Sequence, residues 1–264
     1  MTNNPKWGDL KDRMVYGAVM ALIGVAGIWF GGIWFQMLAV FVTAVMIWEL
    51  TLMIRLDAPT HGMLLAALTA SVLSGLLATE QTGLILSLLF VPALIGAAIM
   101  PRERLTYFCF ALAIVIAGWG LVTFRENYGV LWLFWLVLVV IATDVFGYFA
   151  GRLIGGPKFW PAVSPKKTWS GTIAGWVSSA AIGFIFLGFT NAGPDLPWIS
   201  VALSFASQMG DIAESALKRR MNVKDSSTLI PGHGGLFDRF DGLLGASLVM
   251  LLVALVVDIP EVRF

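Results

Sequence analysis

Long apolar runs recur along this chain, each closed by a short polar break. A helix needs about 20 mostly apolar residues to cross the hydrocarbon core of a bilayer. By that measure the pattern predicts spans near 14–30, 33–54, 63–78, 83–99, 105–124, 130–150, 171–190, 197–213 and 240–259. Gly31-Gly32 divides the first two, and Asp57-Ala58-Pro59, Pro101-Arg102 and Glu126-Asn127 mark later turns. The eighth run is the shortest and ends in Asp211. The expected fold is therefore all-α: a polytopic membrane bundle of about nine helices, read as one domain over 1–264. Residues 1–129 hold hydrophobic spans. Residues 130–264 add two polar loops, 151–170 and 214–240, and form the candidate catalytic half. The N-terminus is polar through Arg13, and the run that follows exceeds signal-peptide length, so it reads as a retained anchor.

Composition strengthens this picture. The 264 residues are 58% hydrophobic and 12% charged, with a mean hydropathy of +0.85. Soluble domains are about 45–50% apolar and about 25% charged. A net charge of +1 says little about partners, but its distribution is informative. With the N-terminus in the cytoplasm and spans alternating, fifteen of the 17 Lys and Arg residues fall inside, leaving Arg125 and Arg263 outside. That is the positive-inside asymmetry. Both long loops then face the cytoplasm. Cys109 is the single cysteine, so an intramolecular disulfide is excluded, and its apolar setting disfavours a thiol nucleophile.

Three carboxylates fall at the edges of late spans: Asp144, Asp211 and Asp241. The alternation places all three near the cytoplasmic boundary. A carboxylate at that depth is costly unless it pairs or binds a cation. Asp144, Gly147, Tyr148, Gly151 and Arg152 share one helical face, as do Asp211, Ser215, Lys218 and Asn222. Gly147 and Gly151 are expected to serve helix packing.

The loop Lys158 to Gly171 contains Ser164-Pro165-Lys166-Lys167-Thr168. Thr168 or Ser170 can cap the next helix, whose N-terminus would attract phosphate beside two lysines. The segment Ser215 to Asp241 is the most charged in the chain, with Lys218, Arg219, Arg220, Lys224, Arg239, Asp225, Asp238, Asp241 and His233. Glycines flank His233 and allow close backbone approach. His233 reads as a hydrogen-bonding residue. Carboxylates with little nitrogen or sulfur suit Mg²⁺, which binds acidic side chains together with substrate phosphates, and argue against structural zinc. The residues alone reach a membrane enzyme or transporter handling a phosphorylated substrate with a metal.

Ser215-Ala-Leu-Lys218-Arg219, Lys224-Asp225, His233-Gly234-Gly235 and Asp238-Arg239-Phe240-Asp241 together resemble the signature of the phosphatidate cytidylyltransferases. Asp144 to Gly151, Ser164 to Trp169 and Gly210-Asp211 are similar to other polar stretches of that family, with Gly147 where alanine is expected. The resemblance covers roughly the C-terminal half. It implies transfer of CMP from CTP to phosphatidate, giving CDP-diacylglycerol and pyrophosphate. It also implies a Mg²⁺ requirement compatible with a second cation, a homodimer, and no nucleic-acid partner. On that reading Asp144, Asp211, Asp238 and Asp241 are candidate cation ligands, Asp211 and Asp241 foremost. Lys218, Arg219, Lys224, Asp225, His233 and Arg239 are candidate catalytic residues. Ser164, Lys166, Lys167, Thr168 and Tyr148 are candidate phosphate contacts. Competing readings are a related CTP-using enzyme acting on an isoprenoid-type acceptor, a polyprenol kinase, an ion-coupled transporter and an inactive scaffold. Dense cytoplasmic Lys and Arg weigh against the transporter. Glu49, the acid of an early span, also lies near that span's cytoplasmic end.

Overall fold

The computed structural model describes residues 5–79, 83–230, 232 and 234–260, with side chains from residue 15 onward. His233 therefore lies outside the described residues, as do Arg263 and the side chains of Lys6, Lys11 and Arg13. Helices form over α1 (Pro5–Phe30), α2 (Gly32–Ile54), α3 (Pro59–Ala78), α4 (Gly83–Leu86), α5 (Phe90–Ile99), α6 (Arg104–Tyr128), α7 (Val130–Leu153), α8 (Trp169–Leu187), α9 (Leu196–Arg220) and α10 (Phe237–Ala254). A short 3₁₀ turn, Ser87–Leu89, joins α4 to α5, so these three pieces occupy the fourth predicted span. Each of the nine predicted spans thus coincides with a helical segment. Five of them, α2, α3, α6, α7 and α8, are long and apolar enough to cross a membrane.

Local chemistry explains the breaks. Gly31 and Gly32 both take positive φ, 62° and 46°, which ends α1 and starts α2. Pro59 opens α3, where its missing N–H costs nothing. One departure from an all-helical fold is a small antiparallel hairpin in the 151–170 loop. It pairs β1 (Lys158–Trp160) with β2 (Ser164–Thr168), Lys158 opposite Thr168 and Trp160 opposite Ser164. Pro157, Pro161 and Pro165 keep this stretch from joining the helices around it.

The chain divides into two compact units that interleave in sequence. The first comprises 1–119 and 223–239. Here α2, α5 and α6 are held by Tyr107, which is fully buried, packs on the open face of Gly96 and lies 3.1 Å from Thr51 Oγ1. Arg55 donates to the Ile99 carbonyl at 3.2 Å. The second unit comprises 120–222 and 240–264. Its helices approach closely at small residues, the packing device of apolar bundles. A Cβ at Gly171 would lie 2.5 Å from the Gly147 carbonyl oxygen, so α7 and α8 touch backbone to backbone. The expectation of helix packing for Gly147 is met. Gly245 meets the Ala206 carbonyl oxygen in the same way, joining α10 to α9. Buried hydroxyls add a polar seam: Thr143 Oγ1 lies 2.7 Å from Ser204 Oγ and 3.0 Å from Ser179 Oγ.

Candidate functional site

Close backbone contacts in the second unit bring four helices together. The C-terminal part of α7 meets the start of α8 at Gly147 and Gly171, and Gly151 faces Thr168. On the other side, a Cβ at Gly210 would lie 2.2 Å from the Asp241 carbonyl oxygen, so α9 and the start of α10 also touch. The middle of α9, at Gly210, and α10 at Asp241 thereby come together beside Asp211.

The polar residues at this end are mutually engaged. Lys167, at the end of the hairpin, reaches Asp211 Oδ2 at 2.6 Å and donates to the Gln208 carbonyl at 3.3 Å. Ser215 Oγ donates to the other oxygen of Asp211 at 3.2 Å, as the one-turn spacing on α9 predicts. Asp241 is half-buried, and Gly242 N donates to its Oδ1 at 2.7 Å. Asp211 and Asp144 act on Asp241 as like charges, and Lys218 acts as an opposite one. Asp211 and Asp241 thus interact electrostatically, with Asp144 the smallest contributor. Asp144 is the most exposed of them.

Thr168 is the N-cap of α8. Its Oγ1 accepts from Gly171 N at 3.3 Å and lies 3.0 Å from Ser170 Oγ. Lys166 projects from β2 into the open, and Ser164 sits at the hairpin's paired end. Tyr148 is exposed and accepts a hydrogen bond from Arg152 Nη1 at 2.6 Å. Between α7 and α8 runs an open apolar groove of about 690 Å³, lined by Phe146, Ile173, Val177 and Ile182, with Ser170 on its wall.

The remaining candidates behave differently. Lys218, expected to face phosphate, is paired one turn back with Glu214, whose side chain is fully buried. Asn222 does not share the face of Asp211, because α9 ends at Arg220 and Asn222 takes a left-handed φ of 56°. Arg219 is exposed just before that end.

In the first unit, Lys224, Asp225 and Arg239 are exposed on the 223–239 segment. Asp238 has an occupation that sequence did not suggest. Its Oδ2 accepts from Ser226 N, Ser226 Oγ and Gly235 N, each at 2.8 Å. Three donors fill the capacity of that oxygen and make Asp238 a clasp for its own loop.

Sequence reasoning missed Glu214. The signal was present, since Glu followed four residues later by Lys is a favoured helical pair.

The donor set suits a hard cation. Among the described residues, no three His, Cys, Asp or Glu side chains gather closely enough to hold a metal by themselves. Mg²⁺ does not require that, since one or two carboxylates plus substrate phosphates and water complete its shell. Asp211 and Asp241 meet this requirement.

Comparison with known proteins agrees with the geometry. A model of the cytidylyltransferase family matches residues 11–257. A phosphatidate cytidylyltransferase of Brucella abortus biovar 1 (strain 9-941) is 31% identical over 261 residues, covering 96% of each chain. The phosphatidate cytidylyltransferase of Bacillus subtilis (strain 168) is 40% identical over 124 residues, 45% of each chain. That of Haemophilus influenzae is 40% identical over 131 residues, 47% of this chain and 46% of its own.

The buried pair makes a direct prediction. Lys218→Met leaves Glu214 buried beside a methylene chain, and removing one partner of a buried pair costs about 3–5 kcal/mol. The variant should melt well below the parent in detergent. Adding Glu214→Gln should restore much of the loss, a non-additivity that a double-mutant cycle reads directly. Additive losses would show that the two side chains do not act as a pair.

Proposed function

The chain belongs to the cytidylyltransferase family, and from that premise we propose that it transfers CMP from CTP to phosphatidate, yielding CDP-diacylglycerol and pyrophosphate for phospholipid synthesis. The observation that carries this reading is the full-length relationship to a phosphatidate cytidylyltransferase, 96% of both chains. The charge cluster of the second unit supports it.

Both substrates are polyanions, and nucleotidyl transfer asks mainly for positioning and charge stabilisation. A phosphate oxygen of phosphatidate attacks the α-phosphorus of CTP. The bond from that phosphorus to the β-phosphate oxygen breaks, and the electron pair leaves with pyrophosphate. No covalent bond to the protein forms. Lys167 supplies a compact positive charge beside Asp211 and can pass from the carboxylate to a triphosphate as CTP enters. Thr168 caps the N-terminus of α8, whose dipole favours phosphate. Lys166, Arg219, Lys224 and Arg239, from exposed positions, and the half-buried Ser164 are proposed as further anion contacts. The groove along α7 and α8 offers an apolar wall for acyl chains next to the polar end. Tyr148, on the exposed side of α7, is assigned to the lipid phosphate.

Asp211 and Asp241 are proposed to hold Mg²⁺, with Asp144 near enough to add charge. When bound, Mg²⁺ would neutralise the phosphates and stabilise charge on attacking and leaving oxygens. Asp211 and Asp241 repel one another when both are charged, so a bound cation would relieve the cost of their proximity.

We also propose nine crossings, a cytoplasmic N-terminus, a site open to cytosolic CTP and to phosphatidate of the cytoplasmic leaflet, and a homodimer. The support for orientation is the fifteen-to-two division of basic residues.

Purified protein given CTP, phosphatidate and Mg²⁺ should release pyrophosphate, and a chelator should stop it. Asp241→Asn should lower turnover at least about a hundredfold, the scale of removing a group that stabilises transition-state charge, while the protein stays folded. Release with another lipid and none with phosphatidate would reassign the acceptor. Near-normal turnover in Asp241→Asn would remove it from the metal site.

Orientation has its own test. In a Cys109→Ser background, Thr228→Cys, at an exposed position of the 223–239 segment, should react with an impermeant maleimide only after the cytoplasmic face is opened. Reaction in intact cells would invert the topology.

A further inference from the structure

Glu49 is the sole acid of α2, a helix apolar enough to cross a membrane. Its side chain is fully buried. An ionised carboxylate in such a place costs several kcal/mol unless donors surround it. All its hydrogen-bond partners come from one stretch, between 177 and 188 positions further along the chain. Oε1 accepts from Ser227 Oγ at 2.6 Å and from Leu236 N at 2.9 Å. Oε2 accepts from Phe237 N at 2.6 Å, and Ser226 Oγ, whose proton is directed at Asp238, lies 3.4 Å away. Phe237 is the first residue of α10, so Glu49 also places negative charge where the helix dipole favours it.

The fit leaves little slack. A Cβ on Gly235 would lie 2.3 Å from Glu49 Oε1 and 2.1 Å from Ser226 Oγ. Ser226 in turn belongs to the Asp238 clasp. Phe237, held by Glu49, packs edge-on against Phe110 of α6 with ring centroids 6.1 Å apart. The buried side of the loop is thus fixed from α2, while Lys224, Asp225 and Arg239 are presented on its exposed side.

We propose that Glu49 is a positioning residue for the reaction: it holds the 226–237 stretch in register without touching substrate, so that the exposed charges of this loop are correctly placed. The proposal rests on the function stated above insofar as this loop serves CTP transfer.

Glu49→Gln isolates the effect. A carboxamide keeps the shape but has one acceptor oxygen and an NH₂ group. The serine hydroxyls can rotate to accept from NH₂. The Leu236 and Phe237 N–H groups cannot, so one of them loses its acceptor. Loss of hydrogen bonds to a charged group of this kind is worth roughly tenfold or more in an equilibrium. A purely structural role within the span predicts the opposite, since a neutral residue suits apolar surroundings better.

Two measurements decide it, made on the full chain in a Cys109→Ser, Leu236→Cys background, where the probe position is buried. Glu49→Gln should label at Leu236→Cys about tenfold faster, and its kcat/KM for CTP should fall about tenfold, with the detergent-solubilised protein still folded. Ser227→Ala, which removes one of the four contacts, should shift both in the same direction by less, and it carries the test if Glu49→Gln fails to fold. Unchanged labelling in a folded variant would overturn the anchoring. Faster labelling with intact kcat/KM would overturn the link to the reaction. Absence of any CTP turnover in the unsubstituted protein would instead count against the function, and labelling would still decide the anchoring.

Discussion

Charge carried on apolar helices governs this molecule, because every buried ionic group must have a partner or a ligand. Three carboxylates meet that demand differently. Glu214 has Lys218 one turn along the same helix. Asp211 has Lys167 from the hairpin, reached across the bundle. Among the described residues Glu49 has no cation in hydrogen-bond contact and is surrounded by backbone N–H and hydroxyl donors. These solutions have different consequences. An adjacent pair on one helix is local and structural. A pair between a hairpin and a helix can open to admit a polyanion. A carboxylate saturated by a remote loop fixes that loop in place.

Such pairings depend on backbones coming close, and the small residues supply that. Gly147 against Gly171 sets the approach of α7 to α8, and Gly210 against Asp241 sets that of α9 to α10. Without these contacts the ends of the helices would separate by the width of a side chain. Asp241 and Asp211 would then cease to feel each other's charge. The same repulsion that makes their proximity costly would favour a divalent cation there. Site and scaffold are in this sense one arrangement.

Much of this was legible in the sequence, for identifiable reasons. Hydrophobic runs mark helices whether their partner is lipid or protein, so all nine predicted spans found a helical segment. The Thr168 cap followed from a hydroxyl placed just before an apolar run. The hairpin at 158–168 was not legible, because its strands are too short for a period-two pattern to emerge. Asn222 was placed on a helical face by periodicity, which has no means of marking the α9 terminus at Arg220. The role of Asp238 was hidden for a related reason: three donors to one oxygen come from a turn, and turns leave little periodic signal. Glu49 was visible as an acid in an apolar run, but its partners lie in the last fifth of the chain. Only the fold brings Leu236 and Phe237 to it.

The central claim is that Lys167, Asp211 and Asp241 together receive the triphosphate of CTP. Equilibrium binding of radiolabelled CTP to the purified protein, without phosphatidate, tests it most directly. The account predicts saturable binding that requires Mg²⁺ and weakens about tenfold or more in Lys167→Ala, the scale of one charge-assisted contact. Equal binding by Lys167→Ala and the parent, or binding indifferent to Mg²⁺, would contradict it.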